Sequence, residues 1–166
     1  MANKAVFFDR DGTLNVDKDY LYKIEDFKWT EGAVSALQYC HEKGYLAVVI
    51  TNQSGVARGY YTEADVHRLH RWMNQELEAK GEAPIDAFYY CPHHPKGKVA
   101  AYACECSCRK PKSGLVLQAI KELDIDPAKS LMVGDKLRDI ESGEAAGVRG
   151  ALYKEGSLLE FVKRNL

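Results

Sequence analysis

Ala5-Val6-Phe7-Phe8-Asp9-Arg10-Asp11-Gly12-Thr13 is the stretch on which the reading of this chain turns. It is a short apolar run that stops on an acid and passes into an Asp-Gly turn, which predicts a strand over Ala5 to Asp9. Moving outward, Val34, Leu37 and Cys40 recur at helical spacing and Gly44 follows as a stop. Tyr45 to Thr51 (YLAVVIT) is a continuous apolar run, expected for a strand buried on both faces. Thr62 with Asp65 forms a capping box, opening a helix that turns Val66, Leu69, Met73 and Leu77 inward. Ile85 to Tyr90 is a third strand candidate. Ser113 is placed to cap a helix carrying Val116, Leu117, Ile120 and Leu123. Ser130 to Gly134 predicts a fourth strand, Ile140 to Ala146 a short helix closed by Gly147, and Val148 to Tyr153 a fifth strand before a terminal helix. Strands separated by helices require crossovers, hence a parallel sheet covered on both faces. The expected fold is a doubly wound α/β domain spanning 1–166.

Bulk properties narrow the function. A length of 166 residues suits one domain with a real core, and 46% hydrophobic with 28% charged residues is ordinary for a globular protein. The net charge of −1 gives no global field to attract nucleic acid or an anionic membrane. No apolar run approaches the roughly 20 residues of a bilayer span, and the start is too short in apolar residues for a signal peptide. A cytoplasmic, monomeric protein is expected, with no nucleic-acid or membrane partner.

The polar residues at the predicted strand ends say more. Asp9 ends the first strand, Thr51-Asn52 the second and Gly134-Asp135 the fourth. Ligands of open parallel sheets bind at the carboxyl ends of the strands, so these positions converge on one crevice. Asp9, Asp11 and Asp135 would repel one another there without a cation, and hard oxygen ligands suit Mg²⁺. As isolated motifs these would be turn formers. Their occurrence together, in this order, points to chemistry.

Five cysteines form no disulfide framework in a chain without an export signal. Four are close in sequence, at Cys91, Cys104, Cys106 and Cys108. A Cys-x-His pair in Cys91-Pro92-His93-His94 followed by a Cys-x-Cys pair within Cys104-Glu105-Cys106-Ser107-Cys108 offers three sulfurs and one nitrogen, a set that suits closed tetrahedral zinc. Cys104 and His94 compete as ligands. Cys40 fits the apolar stripe of its helix. His41, His67 and His70 are expected on solvated helix faces.

Asp9-Arg10-Asp11-Gly12-Thr13 resembles the nucleophile motif of the haloacid dehalogenase superfamily of phosphatases. Thr51-Asn52, Lys110 and Gly134-Asp135-Lys136 stand where that superfamily places its other motifs, so the likeness covers nearly the whole chain. The resemblance implies that Asp9 attacks phosphorus and forms an aspartyl-phosphate, while Asp11 serves as general acid and then general base. It implies Mg²⁺ on Asp9, Asp135 and the main-chain carbonyl of Asp11, and phosphoryl oxygens held by Thr51 and Lys110. It also selects Cys91, His93, Cys106 and Cys108 as ligands of a structural zinc in a loop over about 91–108. That loop replaces a large cap domain and delivers Arg109 and Lys110 to the phosphate.

Two families share this zinc arrangement, the D-glycero-D-manno-heptose-1,7-bisphosphate 7-phosphatases and the histidinol-phosphate phosphatases. Asp9 to Asn15, Thr51 to Gly59 and Tyr90 to Pro95 look closest to the heptose enzymes, and so does the length of the loop from His94 to Glu105. The implied activity is removal of the 7-phosphate from heptose 1,7-bisphosphate, in the making of nucleotide-activated heptose. The substrate is then expected to meet Asp17, Tyr20, Asn52, Gln53, Ser54 and Lys136, with Arg109 gripping the second phosphate bidentately. Histidinol phosphate is the alternative substrate. A nucleic-acid 3′-phosphatase or a zinc-loop binding module is the alternative of another class. The anomer of the sugar stays open.

Overall fold

A computed structural model describes residues 2–166. Five strands form one sheet: β1 (Lys4–Phe8), β2 (Tyr45–Asn52), β3 (Ala87–Cys91), β4 (Leu131–Gly134) and β5 (Arg149–Leu152). Their order is β3-β2-β1-β4-β5 and every pairing is parallel. Five helices connect or follow them: α1 (Ala33–Glu42), α2 (Glu63–Ala79), α3 (Gly114–Glu122), α4 (Leu137–Glu144) and α5 (Leu158–Asn165).

The two-residue period of the strands divides the core. Val6 and Phe8 of β1, Ala47 and Val49 of β2, and Leu131 and Val133 of β4 pack with α1, α2 and α5. The alternate residues Ala5, Phe7, Val48, Ile50 and Met132 pack with α3 on the other face. Gly143 of α4 approaches Met132 so closely that a Cβ there would lie 2.7 Å from the Met132 Cβ, so α4 covers that second face too. Both faces are covered, so β1, the central strand, is apolar and buried from Ala5 to Phe8.

Local signals act as the sequence predicts in most elements. Thr62 and Asp65 exchange the reciprocal hydrogen bonds of a capping box, and α2 buries Val66, Leu69, Met73 and Leu77. Gly44 and Gly147 adopt left-handed φ values of 84° where α1 and α4 end. Cys40 is fully buried in the core. The stripe on α3 is different from the expected one. Leu115, Val116 and Ala119 are buried while Leu117 is half exposed, and the Ser113 side chain makes no capping bond. The helix rotates so that its small residue Ala119 meets the sheet.

Chain order reverses at β1, whose neighbours are β2 and β4. That switch point opens a crevice at the carboxyl edge, where a ligand can reach groups from both sides. No cap domain is inserted between β1 and β2 or between β2 and β3. No helix among the described residues is long and apolar enough to cross a membrane.

Candidate active site

Asp9 leaves the end of β1, and its N–H donates to the Val133 carbonyl of β4 at 3.0 Å. Its carboxylate lies among three other charged groups. Lys110 Nζ is 2.7 Å from Asp9 Oδ1, 2.6 Å from Asp139 Oδ1 and 2.9 Å from the Ile50 carbonyl. Both Lys110 and Asp139 are buried. Burial, opposed by the Lys110 ammonium and reinforced by the Asp139 and Asp11 carboxylates, raises the Asp9 carboxyl above its ordinary value. Burial alone would lower the Lys110 pKa. The Asp9 and Asp139 carboxylates outweigh it and hold the ammonium above its ordinary value. Carboxylate oxygens of Asp9, Asp135 and Asp139 all lie within 4.8 Å of one another. Three carboxylates against one ammonium leave an excess of negative charge, and that oxygen-rich set fits a hard divalent cation such as Mg²⁺.

Asp139 was not singled out in the sequence, although it sits four residues beyond Asp135. Its Oδ2 accepts the Lys136 N–H at 3.1 Å, which fixes the start of α4, and its Oδ1 meets Lys110. Both oxygens are thus engaged, whereas Asp135 has its Oδ1 only 3.5 Å from the Thr13 hydroxyl and is partly exposed. Gly12 permits this approach. At its φ of 89° an added Cβ would lie 2.3 Å from Asp135 Oδ2.

Asp11 stands on the opposite side of the turn, held by donors. Arg10 Nε and Nη2 donate to it at 3.0–3.1 Å, Asn15 Nδ2 donates to Oδ1 at 3.0 Å, and Gln53 Nε2 donates to Oδ2 at 3.1 Å. Gln53 is buried and also donates to the Thr51 hydroxyl at 2.9 Å, while its Oε1 accepts the Tyr61 hydroxyl at 2.6 Å. Its amide thus links Asp11, Thr51 and Tyr61 at the edge of the crevice. Asn52 is engaged too. Its side chain accepts the Lys110 N–H at 3.0 Å and donates to the Lys110 carbonyl at 3.3 Å, tying the lysine's backbone to β2.

The crevice around these groups has a volume of about 260 Å³. Asp9, Asp11, Asp17, Tyr20, Thr51, Asn52, Gln53, Ser54, Arg109, Lys110 and Lys136 all line it, as the sequence pattern expects. The structure adds Arg58 and Arg138, which carried no motif of their own. Asp135 is set back from the lining and reaches the site through the carboxylate cluster.

The second cluster is built on the loop that follows β3. The Sγ atoms of Cys91, Cys106 and Cys108 and Nδ1 of His93 all lie within 4.8 Å of one another. Sulfur–sulfur distances are 2.7–3.5 Å, and His93 Nδ1 is 3.5 Å from the Cys91 and Cys108 sulfurs. Tetrahedral bonds of about 2.3 Å would place ligand sulfurs roughly 3.8 Å apart, so the set fits Zn²⁺ once the Cys91–Cys108 pair opens by about 1 Å and the other pairs by less. The competing residues lie elsewhere. Cys104 is exposed, and His94 Nδ1 accepts the Lys96 N–H while Nε2 faces Arg58 at 3.3 Å. Gly114 packs against the Cys-Ser-Cys turn, with a would-be Cβ 2.3 Å from the Ser107 carbonyl oxygen.

Of the histidines expected on solvated faces, His70 is a correction. It is 5% exposed, stacks on Phe88 with ring centroids 4.3 Å apart, and meets Arg10 Nη1 at 3.2 Å. Its place on the α2 stripe, one residue after Leu69, was the available signal. His41 reaches Asp86 at 2.8 Å and His67 the Tyr90 hydroxyl at 3.0 Å.

Comparison with known proteins agrees with this geometry. The HAD-hydrolase-like family model matches residues 107–160. The D-glycero-beta-D-manno-heptose-1,7-bisphosphate 7-phosphatase of Haemophilus ducreyi is 52% identical over 149 residues, 90% of this chain and 81% of that protein. The Escherichia coli K12 protein of the same name is 46% identical over 144 residues, 87% of this chain and 75% of that protein. A solved structure of D,D-heptose 1,7-bisphosphate phosphatase from B. bronchiseptica, complexed with magnesium and phosphate, superposes with a TM-score of 0.79 at 31% identity. It covers 97% of this chain and 86% of its own. The chain thus belongs to the haloacid dehalogenase superfamily, within the heptose-1,7-bisphosphate 7-phosphatase family of phosphoric monoester hydrolases.

Proposed function

We propose that this chain hydrolyses the 7-phosphate of D-glycero-β-D-manno-heptose 1,7-bisphosphate, leaving heptose 1-phosphate for nucleotide activation. The observation that carries this reading is the meeting of Asp9, Asp11, Thr51, Lys110 and Asp135 at one strand edge, in a chain 52% identical to a phosphatase of that name. The names of the relatives favour the β anomer.

Asp9 attacks phosphorus in line, forming an Asp9 Oδ–P bond as the bond from phosphorus to the sugar oxygen breaks. Asp11 gives its proton to that oxygen. In the second half Asp11 takes a proton from water, whose oxygen bonds to phosphorus and releases inorganic phosphate and Asp9. The Thr51 hydroxyl and Lys110 ammonium receive charge on the phosphoryl oxygens. Asp9, Asp135 and the Asp11 carbonyl would hold Mg²⁺, which when bound shields negative charge and orients the transferred group. Asp139 keeps Lys110 aimed at Asp9. Arg109, with Arg58, Arg138 and Lys136 lining the same crevice, suits the second phosphate, and Asp17, Tyr20 and Ser54 border the sugar. Zn²⁺ on Cys91, His93, Cys106 and Cys108 would have no open ligand position and a structural role only. The reading includes a monomer acting in the cytoplasm on a free sugar phosphate.

Phosphate release from both heptose anomers, histidinol phosphate and a 3′-phosphorylated oligonucleotide, with Mg²⁺ present, tests it. The β-heptose should be turned over fastest and Asp9→Asn should be silent on all four. Preference for histidinol phosphate or the oligonucleotide would overturn the substrate, and an active Asp9→Asn would overturn the mechanism.

A further inference from the structure

Arg10 lies between the two catalytic aspartates and is fully buried. Its guanidinium is always charged and carries five N–H groups, so burial obliges it to find acceptors. Nε and Nη2 serve Asp11, and Nη2 also donates to the Leu21 carbonyl at 2.9 Å. Nη1 faces His70 Nε2 at 3.2 Å. The kind of acceptor matters. A carboxylate there would compete with Asp11 for the guanidinium, whereas a neutral imidazole satisfies the N–H and leaves the charge directed at Asp11. Burial, with the Arg10 charge beside it, holds His70 well below the ordinary imidazole value, and the neutral ring with its proton on Nδ1 accepts the Arg10 N–H at Nε2. The ring is fixed by its parallel stack on Phe88 of β3, with 13° between the planes.

We propose that His70 is a positioning residue for the reaction: through Arg10 it sets the direction in which Asp11 presents its carboxyl to the leaving oxygen. The proposal rests on the reading of Asp11 as the general acid. The step it governs forms the Asp9 Oδ–P bond, breaks the P–O bond to the sugar, and moves the Asp11 proton to the departing oxygen. A leaving group stable as its anion, such as p-nitrophenolate, needs no such proton. Misdirection of Asp11 should therefore show only with sugar phosphate.

The test compares kcat/KM for heptose bisphosphate and p-nitrophenyl phosphate, since this ratio reports phosphoryl transfer to Asp9. His70→Leu should lower the sugar value about 10- to 100-fold and the aryl value less than about threefold. His70→Gln, whose amide oxygen accepts an N–H, should restore the sugar value to within about threefold. Arg10→Met should show the same selective loss, and His70→Leu added to it should lower the rate no further. That variant carries the comparison if His70→Leu does not fold. Equal loss on both substrates, or full activity of His70→Leu, would overturn the proposal. Asp11→Asn separates the two levels: if it too lowers both substrates equally, the role of Asp11 as acid is what fails.

Discussion

The carboxylate cluster and the cysteine–histidine cluster are both four-group polar centres at the same sheet edge, yet they are held in opposite ways. Asp9 and Asp135 follow adjacent strands whose register is fixed, with Phe8 opposite Val133, and Lys110 is clamped by Asn52 of β2. Cys91 ends β3, but its three partners come from residues 92–113, which contain a single short helical turn at Ala100–Tyr102. The first centre is organised by the sheet. The second has to organise its own loop, and Lys110 is the residue through which the two communicate.

Removal of the proposed nucleophile is the sharpest break on the strand-end side. Asp9→Asn should reduce turnover by at least about 10⁴-fold while the sheet stays folded, read by steady-state kinetics and circular dichroism. Lys110→Met comes next. It leaves Asp9 and Asp139 buried without their counter-ion, so a loss of about 3–5 kcal/mol in metal-free protein is expected by urea denaturation. A stability cost near zero would mean that the pair is not buried as described.

Zinc removal tests the other side. Chelation or Cys108→Ser should lower activity by roughly 10- to 100-fold, the scale of a misplaced catalytic group. It should also open residues 92–109 to protease while leaving α1 and β1 protected. If the stripped protein kept full turnover, Lys110 would owe its place to Asn52, Ile50 and Asp139 without the loop. The loop has one further anchor. Glu63 of α2 accepts the Tyr102 and Tyr90 hydroxyls, each at 2.6 Å, and these bonds, Tyr102 first, lower its pKa below the ordinary 4.5. A lowered carboxylate pKa contributes stability above the unfolded value that is lost as pH falls through the folded one. The melting temperature of wild type should therefore drop faster than that of Glu63→Gln below about pH 4.5, with zinc absent from both. The smallest effect is Thr62→Ala, which removes one reciprocal bond of the α2 cap and should cost about 1 kcal/mol without touching either centre.

The strands and the strand-end acids were legible because each rests on local pattern. Apolar runs and their polar ends are properties of five to eight consecutive residues. The roles of Gln53, Asn52 and Asp139 were not. The Gln53 amide also meets Asp11 and Tyr61, and Asn52 meets a lysine 58 positions away. Such pairings are chosen by packing across the sheet, which local spacing does not encode.

By itself the sequence determined the alternating strands and helices, the nucleophile motif at Asp9 and the cysteine pairs, since each follows from short-range periodicity or spacing. Only the tertiary structure decided that Asp139 shares Lys110 with Asp9 and that buried His70 reaches Asp11 through Arg10. Those facts depend on which buried charges find partners. Burial is a property of the assembled sheet and helices, and a polar group taken out of water takes whichever partner the packing brings to it.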